Sequence, residues 1–243
     1  MSVADDHYIL AHGLNVHPSA MERLAEALSL PAEQCSYICL PGHQRGESVG
    51  RLTASQWLDS FAEQYHTQQH AHKNLIFVGY SLGGLIMTYL LAAKRLPAPK
   101  KQILLAPALA FKHWTKIPTY LPATTLDQIL IPSLTPKHYK ANPGVTIGAY
   151  KVLFEISKQL EDLPSVSYNI PTLVLCDQRD ELVKPQGLQQ FIQQQQLSKW
   201  QLYIIPSSPW KRWGKKHLLV APEHQSDEHW KEVRSRIDHF LNA

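Results

Sequence analysis

Gly79-Tyr80-Ser81-Leu82-Gly83 sets a serine midway between two glycines, directly after an apolar run and directly before a helical pattern. A serine at the tip of such a strand-to-helix elbow sits in a strained backbone conformation. The turns on either side then approach too closely for side chains two residues away. Chance is a poor explanation: 17 serines and 11 glycines in 243 residues yield about 0.03 accidental matches, before the flanking strand and helix are required. Ser81 is therefore the candidate nucleophile.

A hydroxyl attacks poorly at neutral pH unless a neutral imidazole takes its proton and a carboxylate orients that imidazole. Behind an elbow of this type the partners follow in the order acid, then histidine. After the apolar run Thr172–Cys176 come Asp177 and Asp180. Asp177 adjoins the strand end, where it could cap the turn; Asp180 lies far enough into the loop to reach back, and is preferred. His217, His224 and His229 all follow the run Gln201–Ile205. His217 is preferred because it lies in a loop, whereas His224 falls near the start of the closing helix and His229 inside it.

Attack places negative charge on the carbonyl oxygen, which calls for two backbone N–H groups aimed at it. Leu82, the residue after the serine, supplies one. The second is expected from Ala11-His12-Gly13-Leu14-Asn15 after the first strand, with Leu14 the choice and Gly13 or Asn15 the alternatives. His12, Gly13, Tyr80, Trp114 and Tyr120 are the candidates for substrate contact.

The elements that must position these groups are legible as short apolar runs bounded by turn residues: Tyr8–Ala11, Ser36–Leu40, Leu75–Tyr80, Gln102–Ala106, Thr172–Cys176 and Gln201–Ile205. Nearly continuous apolarity is the mark of strands covered on both faces. Helical spacing separates them. Ser19-Ala-Met-Glu22 and Thr53-Ala-Ser-Gln56 both read as capping boxes, a third helix follows Ser81, and a last one carries Trp230, Val233, Ile237 and Phe240. The alternation predicts a three-layer α/β sandwich around a mostly parallel sheet of six strands or slightly more. From 111 to 163 it stops, among several prolines, before a helix expected at Thr146–Leu163. That stretch reads as an inserted helical cap or lid, with residues 1–110 and 164–243 forming the core.

Composition narrows the alternatives. With 44% hydrophobic and 18% charged residues the chain can bury a core, and a net charge of +4 is too mild for a nucleic-acid binder. Cys35, Cys39 and Cys176 form neither a disulfide framework nor a zinc spacing, so no metal is expected, and the triad chemistry needs no organic cofactor. The longest apolar run, Leu85 to Ala93, is about half a bilayer span. Acidic Asp5 and Asp6 stand where an export signal would be basic, and a cytoplasmic location is the expectation.

Taken together, the motifs resemble the α/β-hydrolase superfamily, in its small bacterial carboxylesterase and monoacylglycerol-lipase-like branch. His12-Gly13-Leu14, Pro41-Gly42-His43, Gly79-Tyr80-Ser81-Leu82-Gly83-Gly84, Ala106-Pro107, Arg179-Asp180-Glu181-Leu182-Val183, and His217 with Glu223 carry the likeness over nearly the whole chain. It implies a Ser81/His217/Asp180 triad and a small-molecule carboxylic ester with a short to medium acyl chain. An acyltransferase, a thioesterase or a non-catalytic binding module on the same scaffold are the alternatives. The stretch before His217 departs from the branch, being longer, basic and aromatic. Trp210, Lys211, Arg212, Trp213, Lys215 and Lys216 suggest peripheral contact with an anionic lipid or head group.

Overall fold

A computed structural model describes residues 6–48, 52–112, 125–133, 135–207 and 216–243. Six strands form one parallel sheet: β1 (Asp6–Ala11), β2 (Cys35–Ile38), β3 (Asn74–Tyr80), β4 (Lys101–Leu105), β7 (Thr172–Asp177) and β8 (Trp200–Ile205). Their order across the sheet is β2-β1-β3-β4-β7-β8. Each matches an apolar run read from the sequence to within about two residues.

Alternate strand residues face opposite sides, and both sides are covered. On one side Ile9, Phe77, Leu104 and Val174 pack beneath α2 (Ala54–Ala71), α3 (Leu82–Ala92), α4 (Ile147–Glu161) and α5 (Pro185–Gln194). On the other, Leu10, Val78, Ile103 and Leu175 pack beneath α1 (Ser19–Ala27) and α6 (Asp227–Asn242). The result is the expected three-layer sandwich. Helix α3 is buried on nearly every face, as its Leu-Ile-Met composition requires.

The two expected capping boxes differ in outcome. At α2 the box is complete: Thr53 accepts from the Gln56 N–H while the Gln56 side chain accepts from the Thr53 N–H. At α1 it is absent, because Ser19 lies inside the helix behind Pro18 and its hydroxyl pairs with His17 Nδ1 at 2.8 Å. A short antiparallel pair, β5 (Leu130–Pro132) with β6 (Gly144–Thr146), also escapes the sequence reading, since three-residue strands carry no measurable period. Within 111–163, α4 joins the layer of α2 and α3 through buried Leu153, Ile156 and Leu160.

Strand order decides where chemistry can occur. From β1 the chain moves outward to β2, then returns to place β3 on the other flank of β1, so the loops leaving β1 and β3 diverge at a switch point. Ala11 pairs with Gly79, which brings the loops that follow the two strands side by side. The loops after β7 and β8 emerge at the same edge of the sheet.

Candidate active site

Ser81 occupies the bend between β3 and α3 with φ 48° and ψ −108°, a left-handed backbone that non-glycine residues avoid. The strain is held from several sides. The Ser81 N–H donates to the Leu105 carbonyl at 3.0 Å, and the Ser81 carbonyl accepts from Leu85 and Ala108. A Cβ on Gly83 would stand 2.6 Å from the Ala11 carbonyl oxygen, so only glycine lets the elbow close onto β1.

His217 Nε2 lies 3.0 Å from Ser81 Oγ, and His217 Nδ1 lies 2.8 Å from Asp180 Oδ2 and 3.1 Å from Oδ1. Asp180 is fully buried. Its Oδ1 also accepts from the Leu182 and Val183 N–H groups, each at 2.8 Å, so the carboxylate is oriented by backbone before it meets the imidazole. With Nδ1–H donating to the carboxylate, Nε2 is left as the acceptor facing the serine hydroxyl. The three preferred residues therefore form one continuous hydrogen-bonded chain.

The alternatives lie elsewhere. Asp177 accepts from the Arg179 N–H at 2.7 Å and from the Ser207 hydroxyl, a turn-capping role, and its other oxygen faces His229 Nδ1 at 3.5 Å. Burial lowers the pKa of His229, with Asp177 opposing and Lys216 reinforcing the shift. His224, in the short turn Pro222–His224, stacks on His138.

The loop after β1 meets the elbow directly. Gly83 N–H donates to the His12 carbonyl at 3.1 Å, and a Cβ on Gly13 would come within 2.7 Å of the Tyr80 ring and 3.1 Å of Ser81 Cβ. Among the described residues neither the Leu14 nor the Leu82 N–H donates to a protein acceptor. His12, expected against substrate, is fully buried instead. Its Nε2 accepts from the Leu40 N–H at 3.0 Å, which leaves Nδ1 to donate to the Gly13 carbonyl. Burial first, then neighbouring His43, hold its pKa well below the usual histidine range, so it acts as a neutral strut for the loop. Tyr80 is likewise buried, with its ring 5.3 Å from that of His217; burial, Asp180 and Glu181 all raise its pKa. Trp114 and Tyr120 lie outside the described residues.

Sequence reasoning missed the groups that fix the loops. Glu181 accepts from the Lys216 and His217 N–H groups at 2.9 and 2.7 Å, clamping the histidine loop to the aspartate loop. Lys112 Nζ donates to the Asp180 carbonyl, and Phe111 bridges Val183. Midway along the insertion, Asn15 exchanges two hydrogen bonds with the backbone of Asn142, while Tyr139 OH donates to Glu223 at 2.5 Å. Phe111, Lys112, Tyr139 and Asn142 thus tie the insertion to the loops bearing Asp180 and Leu14 and to the turn after His217. Only the adjacency of Glu181 to Asp180 could have hinted at any of this. Of the basic aromatic stretch, 210–215 lies outside the described residues, and Lys216 is buried rather than presented as a surface cation.

Residues 4–208 match the sequence model of the Hydrolase_4 family, described as serine aminopeptidase, S33. The chain belongs to that family. Its fold is the α/β-hydrolase fold, shared with solved structures of low identity. A Saccharomyces cerevisiae monoglyceride lipase variant, bound to a substrate analogue, superposes with TM-score 0.75 at 14% identity, over 97% of this chain and 85% of that one. A monoacylglycerol lipase from Paleococcus ferrophilus gives 0.72 at 14% identity, covering 97% and 93%. A structure from work on the metagenome-derived lipolytic enzymes LipS and LipT gives 0.71 at 16%, covering 98% and 94%. Comparison with curated protein sequences gives no match. Among the described residues of this hydrolase, no helix is long and apolar enough to cross a membrane.

Proposed function

We propose that this α/β-hydrolase is a serine carboxylesterase, lipase-like, that cleaves small carboxylic esters of short to medium acyl chain, monoacylglycerols among them, through an acyl-enzyme on Ser81. The observation that carries the reading is the unbroken relay from Ser81 Oγ through His217 to a buried Asp180, on a serine held at positive φ. The lipolytic enzymes that share the fold support the substrate class.

In this mechanism Ser81 Oγ attacks the ester carbonyl carbon while His217 Nε2 takes the hydroxyl proton. The oxyanion accepts from the Leu82 and Leu14 N–H groups, which have no other described acceptor. Collapse breaks the C–O bond, and His217 returns its proton to the departing alkoxide. Water then attacks the acyl-enzyme with His217 again as base, releasing the acid and restoring Ser81. Asp180 fixes the tautomer and offsets the imidazolium charge in both halves. The insertion at 111–163 acts as the cap over the acyl pocket, a role supported by the anchorage of Lys112, Tyr139 and Asn142 to the loops around the serine.

A fluorophosphonate probe tests the nucleophile: wild type labels at Ser81, Ser81→Ala does not, and His217→Ala labels slowly. A series of p-nitrophenyl and glyceryl esters from C2 to C16 locates the acyl preference. Ester hydrolysis by folded Ser81→Ala at the wild-type rate would overturn the assignment.

A further inference from the structure

His138, Glu223 and His224 each offer a ligand atom, and these atoms lie within 4.8 Å of one another. The arrangement is assembled by the fold. His138 belongs to the insertion between β4 and α4, and the other two come from the turn that follows the His217 loop, 85 residues further along. Two imidazoles and a carboxylate are a donor set for a zinc-class divalent ion, with a remaining position for water.

Three features make this more than a chance cluster. His224 Nε2 is buried without a hydrogen-bond partner, an arrangement that leaves a polar atom's solvation uncompensated. The His138 and His224 rings stack at 5.7 Å with planes only 23° apart, and His138 Nε2 is 3.3 Å from Glu223 Oε1. Tyr139 OH donates to that same carboxylate at 2.5 Å, the kind of contact that orients a metal-ligating oxygen. Tetrahedral bonds of 2.0–2.1 Å put ligand atoms about 3.3 Å apart. Side chains that are 45% and 49% exposed at His138 and Glu223 are free to rotate by the ångström or so required.

We infer that His138, Glu223 and His224 form a binding site for a zinc-class divalent cation, which pins the insertion to the loop carrying His217. The link reaches further: the residue after His138, Tyr139, accepts from the His17 N–H at 2.8 Å, so the pinned segment also touches the loop after β1. The site holds no group used in ester cleavage, and its role is to brace. The competing sites for loosely bound zinc are the His66–His70 pair on α2 and the stacked His7–His72 pair.

The experiment is equilibrium dialysis of the untagged full-length protein against Zn²⁺, with Co²⁺ absorption as a second readout. One ion per chain is expected, with a ligand-field spectrum displaced by Zn²⁺ and a zinc-dependent rise in Tm. His138→Ala and His224→Ala should each weaken binding by more than about 100-fold. Tyr139→Phe, which removes only a contact to a ligand, should weaken it by about 10- to 100-fold. A His66→Ala/His70→Ala/His72→Ala variant should bind as wild type. Binding that persists in His138→Ala and His224→Ala, is lost in the triple variant, or is absent from wild type at 100 μM Zn²⁺ would overturn the inference. Should either single variant fold poorly, Glu223→Gln, which keeps an acceptor for Tyr139 but removes the charge, must lose the Co²⁺ spectrum.

Discussion

Replacing Asp180 by Asn separates orientation from mere occupancy of the site. Oδ1 accepts from two backbone N–H groups, Leu182 and Val183, while Oδ2 faces His217 Nδ1. An asparagine amide turned so that its NH₂ met those two N–H groups would forfeit both bonds, so its oxygen must take the Oδ1 position. The NH₂ then points at His217 Nδ1 and needs an acceptor there. The imidazole responds by moving its proton to Nε2, which becomes a donor to Ser81 Oγ and can no longer accept the hydroxyl proton. A triad with its tautomer inverted in this way loses about 10⁴ in kcat, or about 5.4 kcal/mol at 1.36 kcal/mol per decade. Stability should change far less: two charge-assisted bonds become neutral at about 1 kcal/mol each, lowering Tm by about 4–8 °C. The assay is p-nitrophenyl butyrate hydrolysis for Asp180→Asn, with Asp177→Asn as the control that caps a turn, and thermal unfolding of both. Asp180→Asn within tenfold of wild type, or Asp177→Asn falling as far, would refute the reasoning.

Ser81→Ala should lose about 10⁴- to 10⁶-fold in kcat while keeping the wild-type circular dichroism. Glu181→Gln leaves one of the Lys216 and His217 N–H groups facing an NH₂, which should cost about 1–3 kcal/mol of stability and tenfold or more in kcat with KM little changed, read by steady-state kinetics and urea unfolding. Gly13→Ala forces a Cβ to within 2.7 Å of a ring that is itself packed on His217, so activity and Tm should fall together. Buried His43, whose pKa burial depresses to about 4, binds a proton in the unfolded chain before it does so in the folded one. Its contribution is therefore present above about pH 6.5 and lost as pH falls toward 4, on the order of 3 kcal/mol in all. Urea unfolding at pH 5 and 7.5 should show the difference, reduced in His43→Asn.

The amino-acid sequence alone determined the six strands of the main sheet, the helices that alternate with them and the bend, but not the short β5–β6 pair. Apolar runs such as Leu75–Tyr80 can be buried only between two helical layers, and Gly79-Tyr80-Ser81-Leu82-Gly83 encodes its close approach in residues that lack a side chain. Those are local properties, written within about ten residues. Asp180 and His217 were legible as candidates because loop position after a strand is also local, although their rivals Asp177, His224 and His229 differed from them only by where a loop would carry them. Tertiary structure settled what depends on distance between remote segments. It turned His12 from a substrate contact into a buried strut, because the Leu40 N–H reaches its Nε2. It gave Glu181 its clamp and set His138 beside Glu223, contacts between loops whose meeting no period or spacing encodes. Side chains announce their chemistry in the sequence, but their partners are chosen by the order in which strands assemble into the sheet.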